Sequence, residues 1–340
     1  MARGETLRKL FRSFSRNERE EFHAAAMELI QEEKSKNHTL LARDLEKILQ
    51  NGHSKTLVSN NALLNNYPEL PQDRETGLPL IHISSFDFTW DNVILSEDNL
   101  KILQNVALEN RKQEILEAHG LKPKSKLLFC GPPGCGKTLT AKVLSGVLGI
   151  PLVYANLTAI FSSYLGETAT NLKKIFDYVE QGEWVVLFDE FDAIARDRNI
   201  LNEHGEVKRL VNSLLQLIDT SNSNSLFIAA TNYESLLDKA VWRRFDEVLF
   251  FGKPSLELRI ALLTRYLSKT RHSIHLETFA VSLESATGAD IERICTDAIK
   301  AVILRSEREV TNHDLEAAIR HYLARNLIIS NSGNPPEAID

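Results

Sequence analysis

Cysteine is scarce in this chain. Cys130, Cys135 and Cys295 are the three present in 340 residues, and no two form a CxxC pair. That excludes a disulfide framework and points to a reducing compartment, with the cytoplasm as the default expectation. Long apolar runs are also missing. The longest are short stretches such as Trp184–Phe188, against the ~18 residues that a membrane helix needs, so no membrane span is expected. The start, Met1-Ala2-Arg3-Gly4-Glu5, leads into a charged amphipathic stretch without an apolar core, and does not read as a secretory signal. Basic charge is not in excess either. Forty Lys and Arg stand against 46 Asp and Glu, a formal net charge of −6. This balance argues against nucleic acid as a partner, although it leaves room for a local basic groove.

The rest of the composition is that of an ordinary globular chain, 43% hydrophobic and 25% charged. At about 150 residues per domain, the length predicts roughly two domains, perhaps with an appendage. Residues 1–20 carry six Lys or Arg and three Glu, which fits a solvated helix face or a docking surface for an acidic partner. Two helical stripes follow. Phe22, Ala25, Ala26, Leu29 and Ile30 share one face; Leu40, Leu41, Leu45, Ile48 and Leu49 share another, which ends at Asn51-Gly52. Residues 51–80 are rich in Asn and hold Pro68, Pro71, Gly77 and Pro79, the composition of a connecting segment. Beyond residue 81, helical patterns alternate with five apolar runs, Lys126–Cys130, Leu152–Ala155, Trp184–Phe188, Leu226–Ala230 and Glu247–Phe251. Each spacing accommodates a helical crossover. The pattern predicts an α/β fold, a five-stranded parallel sheet with helices on both faces. After Pro254 helical stripes take over, at Leu256–Ser268, Asp290–Leu304 and Asn312–Ala324.

The chemistry is concentrated at the carboxyl ends of the predicted strands. Gly131-Pro132-Pro133-Gly134-Cys135-Gly136-Lys137-Thr138 follows the first strand directly and satisfies GxxxxGK[ST]. Glycines let the backbone amides turn inward around phosphate oxygens. Lys137 would reach the β and γ phosphates, the Thr138 hydroxyl would bind Mg²⁺, and the helix starting near Lys137 would add its N-terminal dipole. Trp184–Phe188 ends in Asp189-Glu190, a carboxylate pair placed to hold Mg²⁺ through water (Asp189) and to polarise an attacking water (Glu190). Asp192 reads as a helix cap. Phe227–Thr231 delivers Asn232 to the same sheet edge, where ligands of open α/β sheets bind. Arg243-Arg244 either bridges acidic surface groups or supplies guanidinium charge to a phosphoryl-transfer site.

The P-loop, the Phe188–Asp192 box, Ala230-Thr231-Asn232 and Arg243-Arg244-Phe245-Asp246 occur in the order and spacing of the AAA ATPases. Over about residues 86–325 the chain resembles the classical group that contains katanin, spastin and the endosomal-sorting disassembly ATPases. The resemblance implies a nucleotide site of Pro133, Gly134, Cys135, Gly136, Lys137, Thr138 and Leu139, with Val93-Ile94 at the adenine. Asn232 would be sensor 1, and Arg243 and Arg244 would be arginine fingers acting on the neighbouring subunit's ATP. Gly288 and Ala289, within Thr287–Asp290, stand where other clades carry a sensor 2 Arg. Tyr164 and Leu165, in Phe161–Glu167, resemble pore loop 1, which grips polypeptide; Asn202–Glu206 falls where a second pore loop would lie, or is a plain surface loop.

The implied organisation has a helical substrate or adaptor region at 1–50 and a linker at 51–85. A nucleotide domain at 86–253 is followed by an all-helical lid at 254–325 and a flexible tail at 326–340. The implied activity is Mg²⁺-dependent ATP hydrolysis by a homo-oligomeric ring, a hexamer, that unfolds or disassembles proteins through its pore. No HExxH or GxSxG motif occurs, so any proteolysis would come from a separate partner. The layout is also similar to stand-alone bacterial ATPases encoded beside subtilisin-like proteases. Two other readings stay open at this point, a nucleic-acid-dependent remodeler or loader and an ATP switch that controls a partner without threading it.

Overall fold

The computed structural model describes residues 69–331, apart from 75, 158–159, 161–164, 192–212, 222, 234–238 and 269. The helical stripes of residues 1–50, Asp192, Tyr164 and Asn202–Glu206 therefore lie outside the described residues, as do residues 332–340.

The order of elements is β1 (Ile81–Ser84), α1 (Glu97–Arg111), α2 (Gln113–Ala118), β2 (Lys126–Cys130), α3 (Lys137–Leu148), β3 (Leu152–Ala155), α4 (Leu165–Val179), β4 (Val185–Phe188), β5 (Leu226–Thr231), α5 (Lys239–Trp242) and β6 (Glu247–Phe250). The chain continues with α6 (Leu256–Leu267), β7 (Arg271–His272), α7 (Leu276–Ser282), α8 (Gly288–Leu304), β8 (Glu309–Val310) and α9 (Asn312–Asn331). A further helical stretch occupies 213–220.

The five predicted strands form parallel ladders in the spatial order β3-β4-β5-β2-β6. They read as unbroken apolar runs because both sheet faces are covered; all four residues of β4 and all six of β5 are buried. On one face Leu127, Phe129, Val185, Leu187, Ile228 and Ala230 pack with Leu103 and Val106 of α1 and with Ala141 and Leu144 of α3. On the other, Phe176 of α4 stacks on Phe188 and Phe227, with ring centroids 6.2 and 5.7 Å apart.

The sheet has one strand more than the sequence predicts. β1 pairs antiparallel with β3, Ile81 opposite Ala155 through Ser84 opposite Leu152. Its residues fall inside the segment expected to be linker, N-terminal to the boundary expected at residue 86. Four residues with alternating polar positions, following a proline, carry little strand signal, yet they cover the exposed edge of β3.

The C-terminal helices enclose a second apolar cluster, including Leu263, Leu267, Phe279, Ile291, Ile294, Val302, Leu315 and Ile319. This lid is not wholly helical, because Arg271-His272 and Glu309-Val310 form a short parallel ladder. Helix α9 runs on to Asn331, past the boundary expected at residue 326. Two lid helices open on a T-x-x-D sequence, in the first of them a full capping box. In α8 the Thr287 N and Oγ1 both donate to Asp290 Oδ2, at 2.9 and 2.7 Å; before α9 the Thr311 N and Oγ1 donate to Asp314 Oδ2 at the same distances. Among the described residues, no helix is long and apolar enough to cross a membrane.

Candidate nucleotide site

Strand order decides what meets at the carboxyl edge of the sheet. β5 lies between β2 and β4, so the turn after β5 sits between the turns after the other two. The P-loop follows β2, Asp189-Glu190 follows β4, and Asn232 follows β5. All three turns line one cleft of about 510 Å³ between the sheet edge and the lid. Pro133, Gly134, Cys135, Gly136, Lys137, Thr138 and Leu139 line it, as do Val93, Ile94, Gly288 and Ala289.

The P-loop takes backbone conformations that favour glycine. Gly134 and Gly136 have φ of +77° and +96°. Gly136 precedes the first residue of α3, Lys137, so the first amides of that helix face the cleft. Lys137 is buried, and its ammonium donates to the carbonyls of Gly131 at 2.6 Å and Pro132 at 2.9 Å. The Thr138 hydroxyl donates to Asp189 Oδ2 at 2.6 Å. Asp189 Oδ1 accepts from the Glu190 N at 2.9 Å, and Glu190 holds φ at +52°, a conformation uncommon for a side chain other than glycine. The next residue is pinned, because Phe191 N donates to the Ala230 carbonyl of β5 at 2.8 Å. The bend after β4 is thereby tied to the strand that carries Asn232.

Cys135 is not an activated thiol. Burial pushes its pKa up, against the opposing pull of Lys137 and Lys253. Cys295 is buried in the lid and pushed up to about 12 by that burial.

The lid is fastened to the P-loop by backbone. Ala289 N donates to the Gly134 carbonyl at 3.0 Å. A Cβ on Gly134 would stand 2.7 Å from Thr287 Oγ1, so the loop and the start of α8 approach as closely as a glycine permits. Across the cleft, Arg265 of α6 donates to the Asp91 carbonyl at 2.6 Å. Val93 and Ile94 come two and three residues after Asp91, with Ile94 packed against the lid cluster.

Several cleft residues carry no sequence signal of the site. Asn99, Lys253, Arg265, Tyr266 and Glu292 line the cleft from elements widely separated along the chain. The Tyr266 hydroxyl donates to Glu292 Oε2 at 3.5 Å. Burial first, then the Glu292 charge, pushes its pKa up to about 12, so it stays a neutral donor.

Arg243 and Arg244 do not line this cleft. They sit in the turn between α5 and β6. Arg243 is exposed, whereas Arg244 bridges to Asp219, which also accepts from Lys126 Nζ at 2.9 Å. Asp246 Oδ2 accepts from Ser125 N and Lys126 N, both at 2.9 Å. The turn is thus fixed to the first residues of β2. Leu165 opens α4.

Comparison with known proteins agrees with this architecture. The family described as "ATPase family associated with various cellular activities (AAA)" matches residues 127–253. An uncharacterized AAA family ATPase, y4kL, from Sinorhizobium fredii is 41% identical over 326 residues, covering 94% of this chain and 95% of that protein. An ATP-dependent zinc metalloprotease YME1 homolog from Schistosoma mansoni is 33% identical over 67% of the chain, and the peroxisomal ATPase pex6 of Schizosaccharomyces pombe is 32% identical over 65%. The matched region is 36% of the first of these two proteins and 25% of the second. With its P-loop, acidic strand end and polar β5 turn gathered on one cleft, and a relative matched almost end to end, the chain belongs to the AAA family of ATPases and is an ATP hydrolase.

Proposed function

We propose that the chain hydrolyses Mg²⁺-ATP as a subunit of a ring, a hexamer, and uses the cycle to unfold or disassemble a protein drawn through the central pore. The observation that carries this reading is the division of the catalytic groups. Lys137, Thr138, Asp189, Glu190 and Asn232 converge on one cleft, while Arg243 and Arg244 lie outside it. Arg265 also lines the cleft but is engaged by the Asp91 carbonyl, so the guanidinium needed at the transferring phosphoryl group is assigned to the arginine pair of another subunit.

The residues suit the substrate and its metal. Thr138 Oγ1 and Asp189 Oδ2 face each other at 2.6 Å, two oxygen donors of the kind a hard dication takes. When bound, Mg²⁺ neutralises charge on the phosphate oxygens. Lys137 exchanges its bonds to the loop carbonyls for phosphate oxygens and keeps its charge compensated. Glu190, which shares the cleft lining, accepts a proton from the attacking water. Asn232, between Glu190 and the P-loop, orients that water. Val93 and Ile94 supply an apolar wall for the base. Tyr164 and Leu165 grip the polypeptide in the pore, and residues 1–50 recruit it or an adaptor. The ATP-dependent zinc metalloprotease among the relatives, the YME1 homolog, supports protein as the substrate class.

Glu190→Gln tests the assignment. The amide keeps the shape but not the basicity, so ATP affinity should stay within about twofold while turnover falls about 10²- to 10³-fold. Turnover near the wild-type rate would show that Glu190 does not activate the water. In ATP the same variant should hold its client, and capture followed by mass spectrometry would name it.

A further inference from the structure

Residues 71–84 are the first described segment of the ATPase core, and they form a strap rather than a free connection. Residues 71–74 and 76–80 make a tight hairpin. Gln72 bridges Pro79, Asp73 N donates to the Leu78 carbonyl at 2.9 Å, and Gly77 turns the chain at φ +66°. Asp73 is 2% exposed, a burial unusual for a carboxylate. Its Oδ1 accepts from Thr76 N at 2.8 Å and Thr76 Oγ1 at 2.9 Å, which closes the hairpin. Its Oδ2 accepts from Asn171 Nδ2 of α4 at 2.6 Å, and Asn171 is 1% exposed. Lys174, one turn on, donates to the Gln72 carbonyl at 2.9 Å and to Asn171 Oδ1 at 3.1 Å. The hairpin then runs into β1, where Leu80 O accepts from Asn156 N at 3.0 Å and Ile81 pairs with Ala155.

The strap therefore grips the chain on both sides of one segment. β3 and Asn156 precede Tyr164, and α4, which Asp73 holds, begins at the residue after it. Apolar contact alone would let the hairpin slide along α4. A buried carboxylate whose donors sit at fixed points permits one register. We propose that Asp73 and Asn171 are positioning residues. They fix α4 against the sheet edge, and through it the place of Tyr164, so that protein substrate is engaged productively. The proposal rests on the pore-loop reading above.

The geometry supplies a reciprocal test. In Asp73→Asn the Oδ1 still accepts from Thr76, which leaves an NH₂ against the Asn171 NH₂. Turning Asn171 over sets its NH₂ against the Lys174 ammonium. Asn171→Asp opposes two carboxylates. The Asp73→Asn/Asn171→Asp exchange restores one donor and one acceptor across the contact, with an acceptor still facing Lys174. The full-length chain and its variants are compared by hydrogen exchange, ATP affinity, and hydrolysis with and without casein as an unfolded probe. Each single change should raise amide exchange in α4 about tenfold, leave ATP affinity and basal hydrolysis near wild type, and reduce the casein-stimulated rate toward that of Tyr164→Ala. The exchange variant should recover both. Unchanged α4 exchange in the single variants overturns the proposal, as does raised exchange with full stimulation. If casein acts alike on wild type and Tyr164→Ala, the pore-loop reading fails instead. The strap's hold on α4 is then judged by whether the exchange variant restores protection.

Discussion

Gly131, the first residue after β2, carries a constraint that the P-loop pattern does not express. A Cβ there would lie 2.2 Å from the Phe251 carbonyl, and φ is +135°. Both groups are backbone at the carboxyl edge of adjacent strands, so neither can move aside as a side chain would. Gly131→Ala should destabilise the folded chain by about 2–4 kcal/mol, read as a lower denaturant midpoint with no nucleotide present. A midpoint equal to wild type would mean that the edge between β2 and β6 yields easily. The glycine and lysine of the motif were legible in the sequence because eight consecutive residues carry them. The partners Arg265, Tyr266 and Glu292 were not, because no local pattern marks a polar lid residue that meets the cleft only after α6 and α8 have packed. The arginine pair was legible as a pair but not as two roles. Arg244 is bound by Asp219, which is 25 residues away in sequence, while Arg243 remains at the surface.

Among the elements, the buried parallel strands were the easiest to read, since burial on both faces leaves an unbroken apolar run. The edge strand β1 and the ladder between β7 and β8 were hidden, because pairs of two to four residues are stabilised by their partners rather than by their own pattern. The lid helices depend on their first turns. Asp314 is nearly buried, and burial alone would raise its pKa. Hydrogen bonds from Thr311 N and Oγ1 and the Arg305 guanidinium outweigh that cost and hold it below the usual range. A carboxylate depressed in the folded state stabilises above its unfolded pKa of about 3.9, and that contribution is lost as pH falls through the folded value. Asp314→Asn should therefore melt below wild type at pH 7, and the gap should close as the pH drops below about 4. Melting curves with a constant gap down to pH 3 would mean that the charge of Asp314 contributes nothing to the lid.

For the whole molecule, the decisive question is whether one chain holds a complete active site. The cleft contains its lysine, hydroxyl, two carboxylates and Asn232, but neither Arg243 nor Arg244. The turn bearing the arginines is fastened through Asp246 to the start of β2, whose far end opens into the chain's own P-loop. An arginine drawn toward a neighbour's phosphate would thus pull on the strand that carries its own nucleotide loop, which couples adjacent sites without a separate relay. Two dead variants make the sharing testable. Arg243→Ala keeps its own cleft intact but offers nothing to its neighbour, and Glu190→Gln has the reverse defect. Arg243→Ala alone should lose about a thousandfold or more in turnover and Glu190→Gln about 10²- to 10³-fold, each with ATP binding retained. Mixed and allowed to reassemble, the proposed rings would set some Arg243→Ala clefts against Glu190→Gln subunits, and those sites would be complete. Hydrolysis by the mixture should rise well above the sum of the two separate preparations and fall again on dilution, as subunits part. A mixture no faster than its components, with turnover per wild-type subunit unchanged on dilution, would place the whole of catalysis within a single chain.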